Sequence, residues 1–198
     1  MSDAAPRHSG VLDLAWKRYL HSLNTRPLRT KTLTSATLAA LSDLAAQLLT
    51  TKKVQWRRTV AFALYGLLWS GPANHYWQQF LQKAFKGRND PRSIVQKVIV
   101  ENLTFAPFAN AVMMSFISTV IEGRSIQGTK EKLRRDFPPV IFSAWRVWPL
   151  ASLINYRFVP LHLRVPFVSI MALCWSIFLI ISSKKPSPAP VTPQPEIG

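Results

Sequence analysis

The amino-acid sequence predicts an all-α protein: a multi-pass membrane helix bundle of four spans, with a fifth left open, preceded by a short N-terminal amphipathic helix. Three observations carry this. Of 25 Lys and Arg and 9 Asp and Glu residues, almost none falls within 32–51, 59–82, 102–121 or 165–183, where a single charge, Asp43, interrupts the apolar character. Each stretch approaches the ~20 residues that a helix needs to cross a hydrocarbon core. The basic residues gather between these stretches, as at Lys52, Lys53, Arg57 and Arg58 or Arg124, Lys130, Lys132, Arg134 and Arg135.

The elements follow in order. Residues 1–10 read as a flexible N-terminus without a secretory signal. Val11, Leu12, Ala15, Trp16, Tyr19, Leu20 and Leu23 have helical spacing, with Lys17, Arg18 and His21 opposite, which suits a helix lying on a membrane surface. Pro27 opens the lead into the first span, about 32–51, which is rich in Ala, Ser and Thr. Ala36, Ala40, Asp43 and Gln47 share one face of it, which invites close approach by a second helix and supplies polar groups to meet it. The second span, 59–82, carries Gly71, Pro72, Asn74 and His75. Pro72 cannot donate to the carbonyl of Leu68, so a kink is expected there.

Asp90 and Pro91 start the third helix, with a span at 97–121. Lys97 and Glu101 form an i,i+4 pair, Asn102, Ala106 and Asn110 recur at four-residue steps, and Pro107 bends the helix. The mixed charges of 122–136 suit a short surface helix. Residues 137–156 form either a further span or an interfacial helix, with Arg146 snorkelling or turned inward toward Asp43. The last span is 165–183, and the prolines of 184–198 predict a disordered tail, leaving 11–183 as a single membrane domain.

Within that frame the polar residues define the candidate sites. An ionisable group at the depth of Asp43 is costly, so it faces the bundle interior or water, as a structural partner of Arg146 or a hydroxyl, or as part of a permeation path. Asn74, His75, Asn102 and Asn110 either line the same wet path or cross-link helices. The four histidines lack ligand spacing, and no phosphate-cradling loop or nucleophile with a base is present, so no metal, cofactor or enzymatic activity is expected. The net charge of +16 is placed to meet anionic lipid headgroups rather than nucleic acid. Self-association into a homo-oligomer stays open. Cys174 stands alone and reads as packing.

An ordered set of residues resembles a known family, the small peroxisomal membrane proteins and their mitochondrial inner-membrane relatives linked to mitochondrial DNA maintenance. It runs from Trp16, Tyr19 and Leu20 through Pro27 and Thr30, Asp43 with Gln47, Arg57 and Arg58, Gly66, Gly71, Pro72, His75 and Trp77, to Pro107. It continues with Trp145, Trp148, Pro149, Asn155, Tyr156, Val159, Pro160, Arg164, Trp175 and Ser182. The chain departs from the family's usual Gly-Asp at Ser42 and Asp43, Asp-Gln at Glu101 and Asn102, and glutamine at Ser152, and is more similar to the plant-type peroxisomal branch. The resemblance implies a multi-pass organelle membrane protein, in the peroxisome or alternatively the mitochondrial inner membrane, with channel-like permeability to small solutes. It adds Asn155 to the candidate pore-lining or helix-packing residues.

Overall fold

The computed structural model describes the backbone of residues 10–183 and the side chains of 10–177. The predicted Pro-rich tail, 184–198, and all but the last residue of the predicted flexible N-terminus lie outside the described residues. What is described is all-helical: α1 (Val11–Thr25), α2 (Pro27–Thr50), α3 (Trp56–Tyr65), α4 (Gly71–Ala84), α5 (Pro91–Val100), α6 (Ala106–Phe116), α7 (Ile126–Phe158) and α8 (Arg164–Ser183). Three π-turns, Gly66–Ser70, Glu101–Phe105 and Ile117–Ile121, join or extend these helices. As a result 56–84 and 91–121 are two continuous rods. By length and composition, Pro91–Ile121 is the one helix among the described residues long and apolar enough to cross a membrane alone, and α8 is apolar over Arg164–Ile177.

Local chemistry accounts for the boundaries. Pro27 and Pro91 occupy first helical positions, where a missing N–H costs nothing. Asp90 caps α5 by accepting from the Ser93 amide at 3.0 Å and the Ser93 hydroxyl at 2.7 Å, and these bonds hold its carboxyl below the usual carboxylate range. Ser125 caps α7 by accepting from Gly128 N.

At Pro72 the helix widens instead of simply kinking: the Gly71 amide donates to the Gly66 carbonyl, five residues back, so the proline follows a π-turn. Pro107 stands in the same relation to the turn at Glu101–Phe105. The expected short surface helix at 122–136 and the separate 137–156 element are instead one helix, α7, of 33 residues, about 50 Å at ~1.5 Å per residue. It runs through Pro138 and Pro139 because the carbonyls they leave free belong to the exposed Arg134 and Arg135, where water can meet them.

Five rods, α2, α3–α4, α5–α6, α7 and α8, each touch the next and close into a ring, with α1 lying against α2. α2 is the hub, packing on α8, α3, the first π-turn and α4. Its small face works as the sequence suggests. A Cβ on Gly66 would stand 2.7 Å from the Ser35 carbonyl oxygen and 2.8 Å from Ala36 Cα, and one on Gly71 would stand 2.7 Å from Thr32 Cα. Only glycine lets the backbones approach so closely. On the other side, Ser35 meets Ser169 at 3.1 Å and Ser42 meets Ser176 at 2.6 Å, which fastens α2 to α8.

The second and third rods are joined by aromatic rings. Tyr65 packs on Phe116 and Trp69 on Phe108, and Trp77 stacks on Phe105 with centroids 4.8 Å apart and planes 9° from parallel. Leu81, Ile94 and Tyr156 form the small apolar core at one end. The polarity of the whole is inverted. Buried polar and charged residues outnumber buried hydrophobic ones nearly two to one among the described residues, while large apolar side chains such as Leu33, Leu68, Leu103, Phe142 and Leu150 stand exposed.

Candidate functional site

Two buried polar clusters sit in opposite halves of the bundle. The first is built on Asp43, whose side chain is wholly buried. Its Oδ1 accepts from Arg58 Nε at 2.7 Å, and its Oδ2 accepts from Gln47 Nε2 at 2.5 Å and from the Thr59 hydroxyl at 2.9 Å. Gln47 also donates to Thr59 and accepts from the Gln55 amide, so both its amide atoms are bonded. The turn at 51–55 folds α3 back on α2, which brings Arg58 and Thr59 opposite Asp43. This is a closed, fully bonded set.

The cation of Asp43 is therefore Arg58, not Arg146. Arg146 is exposed on α7, a helix that packs on α5, α6 and α8. Of the two partners expected for Asp43, the hydroxyl is present as Thr59 and Arg146 is not, because sequence-adjacent helices in a tight antiparallel hairpin reach each other before distant ones.

The second cluster lies where α2, α5 and α8 begin and α4 and α7 end. Lys31, one helical turn into α2, donates to His75 Nδ1 and to the Leu161 carbonyl, both at 3.5 Å, and Gln79 stands 2.9 Å from His75 Nε2. Arg164 donates from Nε to the Val159 carbonyl at 3.1 Å, while its NH1 and NH2 reach Gln82 Oε1 and the Tyr156 carbonyl only at 3.5 Å. Its guanidinium covers the Tyr156 ring at 5.1 Å. Glu101, at the head of the second π-turn, is buried within reach of Tyr156 and Ser152, and its Oε2 has no partner. A small cavity of ≈ 10 Å³ adjoins Glu101 and Ser152, about the least that holds one water.

Buried atoms without partners concentrate here: Gln78 Oε1, Glu101 Oε2 and both amide atoms of Asn155. The expected pair of Lys97 and Glu101 does not form. Lys97 is fully buried and turns to the Arg88 carbonyl at 2.6 Å and Asn89 Oδ1 at 3.3 Å, leaving Glu101 to face α7.

The remaining predicted residues are distributed between these clusters and elsewhere. His75 and Asn155 belong to the second, Asp43 and Gln47 to the first. Asn102 donates to the Val98 carbonyl at 2.9 Å and toward Ser152 at 3.4 Å, while its own carbonyl accepts from the Trp145 indole at 3.0 Å. Asn74 and Asn110 each donate to the carbonyl four residues back in their own helix, Ser70 and Ala106. Gly71 lies against Thr32 where α4 meets α2, and Pro72 follows it in the first turn of α4. Among the described residues no group of three or more His, Cys, Asp or Glu side chains could hold a metal.

Lys31 and Gln78 went unread in the sequence, Lys97 was read only as a partner of Glu101, and Arg164 only within the family resemblance. Each stands at the edge of an apolar run, where a charge or amide is ordinarily assigned to the interface. The signal that singles out the three cations is their excess over the acids in reach, Glu101 for Arg164 and Asp90 for Lys97.

An open apolar groove of ≈ 850 Å³ lies between α1, α2 and the start of α8, with Trp16, Tyr19, Leu33, Phe158, Phe167 and Ile170 among its walls. Tyr19 and Thr34, 3.1 Å apart, cross it.

Comparison with known proteins places this arrangement among relatives. The profile of the Mpv17 / PMP22 family matches residues 119–180. "PXMP2/4 family protein 3" of Dictyostelium discoideum is 40% identical over 187 residues, covering 93% of this chain and 99% of that protein. "Peroxisomal membrane protein PMP22" of Arabidopsis thaliana is 36% identical, covering 85% and 89%. "Protein SYM1" of Saccharomyces cerevisiae is 32% identical, covering 84% and 89%. No solved structure matches.

Proposed function

This chain belongs to the Mpv17 / PMP22 family, and from that premise we propose that it is an integral protein of the peroxisomal membrane that contributes a channel-like permeability for small solutes. The mitochondrial inner membrane is the alternative location, after the SYM1 relative. In this reading all five rods cross the bilayer, with α1 on its surface.

The observation that carries the reading is the inverted polarity of the bundle. Exposed leucines and phenylalanines around a core of lysine, arginine, glutamate, glutamine and asparagine are untenable in water, and lipid on the outside removes the conflict. In the most apolar stretch of Pro91–Ile121 only 6% of the residues are buried and most are half-buried, as in a helix with one face on its neighbours and the other on lipid. Of the two clusters, the second supports permeation: its unpartnered polar atoms call for water, and water inside a ring of helices is the start of a path. The partners this reading names are anionic headgroups beside the basic connections and a second copy of the chain.

A second reading, a structural or interaction protein without transport, draws support from the bonding of Asp43, whose two oxygens accept three hydrogen bonds from the protein itself. Leakage of small solutes from liposomes containing the purified protein separates the two. Permeability that changes in Glu101→Gln, with helical content kept, supports the path. Tight liposomes with well-folded wild-type protein leave the structural reading.

A further inference from the structure

We propose that Lys31 and Arg164, with Lys97 adding to the field, form a binding site for a small oxyanion, a phosphate or a carboxylate, at the end of the bundle where α2, α5 and α8 begin. Binding here can be tested whether or not solutes cross, so it does not rest on the permeability reading.

The argument starts from charge balance. Lys31, Lys97 and Arg164 have 4%, 0% and 4% of their surface exposed, and among the described residues none has a carboxylate within ion-pair distance. Arg164 is close enough to both lysines to repel them. Glu101 answers Arg164 and Asp90 acts on Lys97, neither at ion-pair distance, and no acid acts on Lys31, so three buried cations face two carboxylates. Buried charges are ordinarily paired, and an excess of this kind marks a missing counter-charge.

The bonding of the three cations locates it. Lys97 is well satisfied by Arg88 and Asn89. Lys31 is not: both its contacts stand at 3.5 Å, and so do those of both terminal nitrogens of Arg164. Contacts at that length leave donors under-used and give an added acceptor something to gain. Arg164 presents a planar fork that fits two oxygens of one oxyanion, and Lys31 supplies a point charge beside it. Asn155 Nδ2, buried next to Tyr156 in sequence, is a further donor without a partner.

The oxyanion has two possible sources, a free solute or a phospholipid headgroup. The test uses the full-length protein in phosphatidylcholine nanodiscs, with the unfolding midpoint followed as inorganic phosphate replaces chloride at constant ionic strength. The expected result is a saturable rise for wild type. Lys31→Met should need about tenfold more phosphate or greater, the ordinary effect of losing one charged hydrogen bond. Lys31→Arg should keep the response and guards against a folding defect in the first variant. Repetition in discs containing phosphatidylglycerol identifies the source: a phosphate response that persists marks a free anion, and one already saturated by the anionic lipid marks the headgroup. Equal midpoints in phosphate and chloride, or a Lys31→Met protein more stable than wild type in every buffer and lipid, would overturn the proposal, because the cluster would then be bare repulsion.

Discussion

Arg58 Nε lies 2.7 Å from Asp43 Oδ1 across the α2–α3 hairpin, with the acid wholly buried and the side chain of the arginine 38% exposed. The pair is asymmetric, so the two partners should respond differently to substitution. Asp43→Asn keeps the shape but turns an amide donor toward Gln47, Thr59 or Arg58. A loss of about 2–3 kcal/mol is expected, at the low end for a buried charge because water partly screens Arg58. Arg58→Lys should cost less, since an ammonium can approach from the same exposed side. Unfolding midpoints in detergent check both.

Gly71 offers a sharper structural test. Its added Cβ would meet Thr32 Cα, which is backbone and cannot swing aside. Gly71→Ala should therefore part α2 from α4 at a cost of about 1–3 kcal/mol, although alanine is the better helix former. A variant as stable as wild type would show that the two helices are not in contact.

The carboxyl of Asp90 is held below its ordinary range by the Ser93 hydroxyl and amide. An acid lowered in this way stabilises the folded state fully above its ordinary pKa, and the contribution is lost as pH falls through the lowered value. Protection of the Ser93 and Ile94 amides, measured against the intrinsic exchange rate at each pH, should fall on acidification below about pH 4. In Asp90→Ala the amides should be less protected near neutrality and nearly indifferent to this pH range.

The single helix α7 predicts a crossing. Cysteines placed at Arg124 and Arg157, in a background with Cys174→Ser, should be labelled by an impermeant reagent from opposite faces of the membrane. Labelling of both from one face would lay α7 along the surface and reduce the bundle to four spans.

Asn155 has 1% of its surface exposed, and neither amide atom has a protein partner. If no water meets them, Asn155→Leu removes a desolvation penalty and should raise stability by about 1–3 kcal/mol. A drop of similar size would place ordered water at the amide, which is the hydration that a permeation path requires.

Much of this was legible in the sequence, because charge segregation and helical periodicity report which segments are helices. The small face of α2, the Asp90 cap and the burial of Asp43 and Gln47 followed from such local rules. The cationic partner of Asp43 did not, since choosing Arg58 over Arg146 depends on how tightly the turn at 51–55 folds. Pro138 and Pro139 hid the continuity of α7, because proline reads as a breaker unless the freed carbonyls are known to reach water. Lys97 and Glu101 obeyed helical spacing but were drawn apart by stronger partners, the Arg88 carbonyl for one and α7 for the other. The family resemblance, by contrast, was readable in full and is borne out by relatives that cover most of the chain.

The π-turns set the angular phase of everything after them. Each holds one residue more than an α-turn, so the side chains beyond it are rotated by about 100° from where an uninterrupted helix would put them. Gly71, His75 and Gln78 face inward only because the turn at Gly66–Ser70 has already advanced the helix. Deleting one residue within 66–70 would heal the hydrogen bonding of the backbone and leave that face in place, whereas deleting one in a regular α-helical stretch such as 74–80 would swing the side chains beyond it by about 100°. In this chain the residue count inside a helix, as much as residue identity, decides what the interior of the bundle is made of.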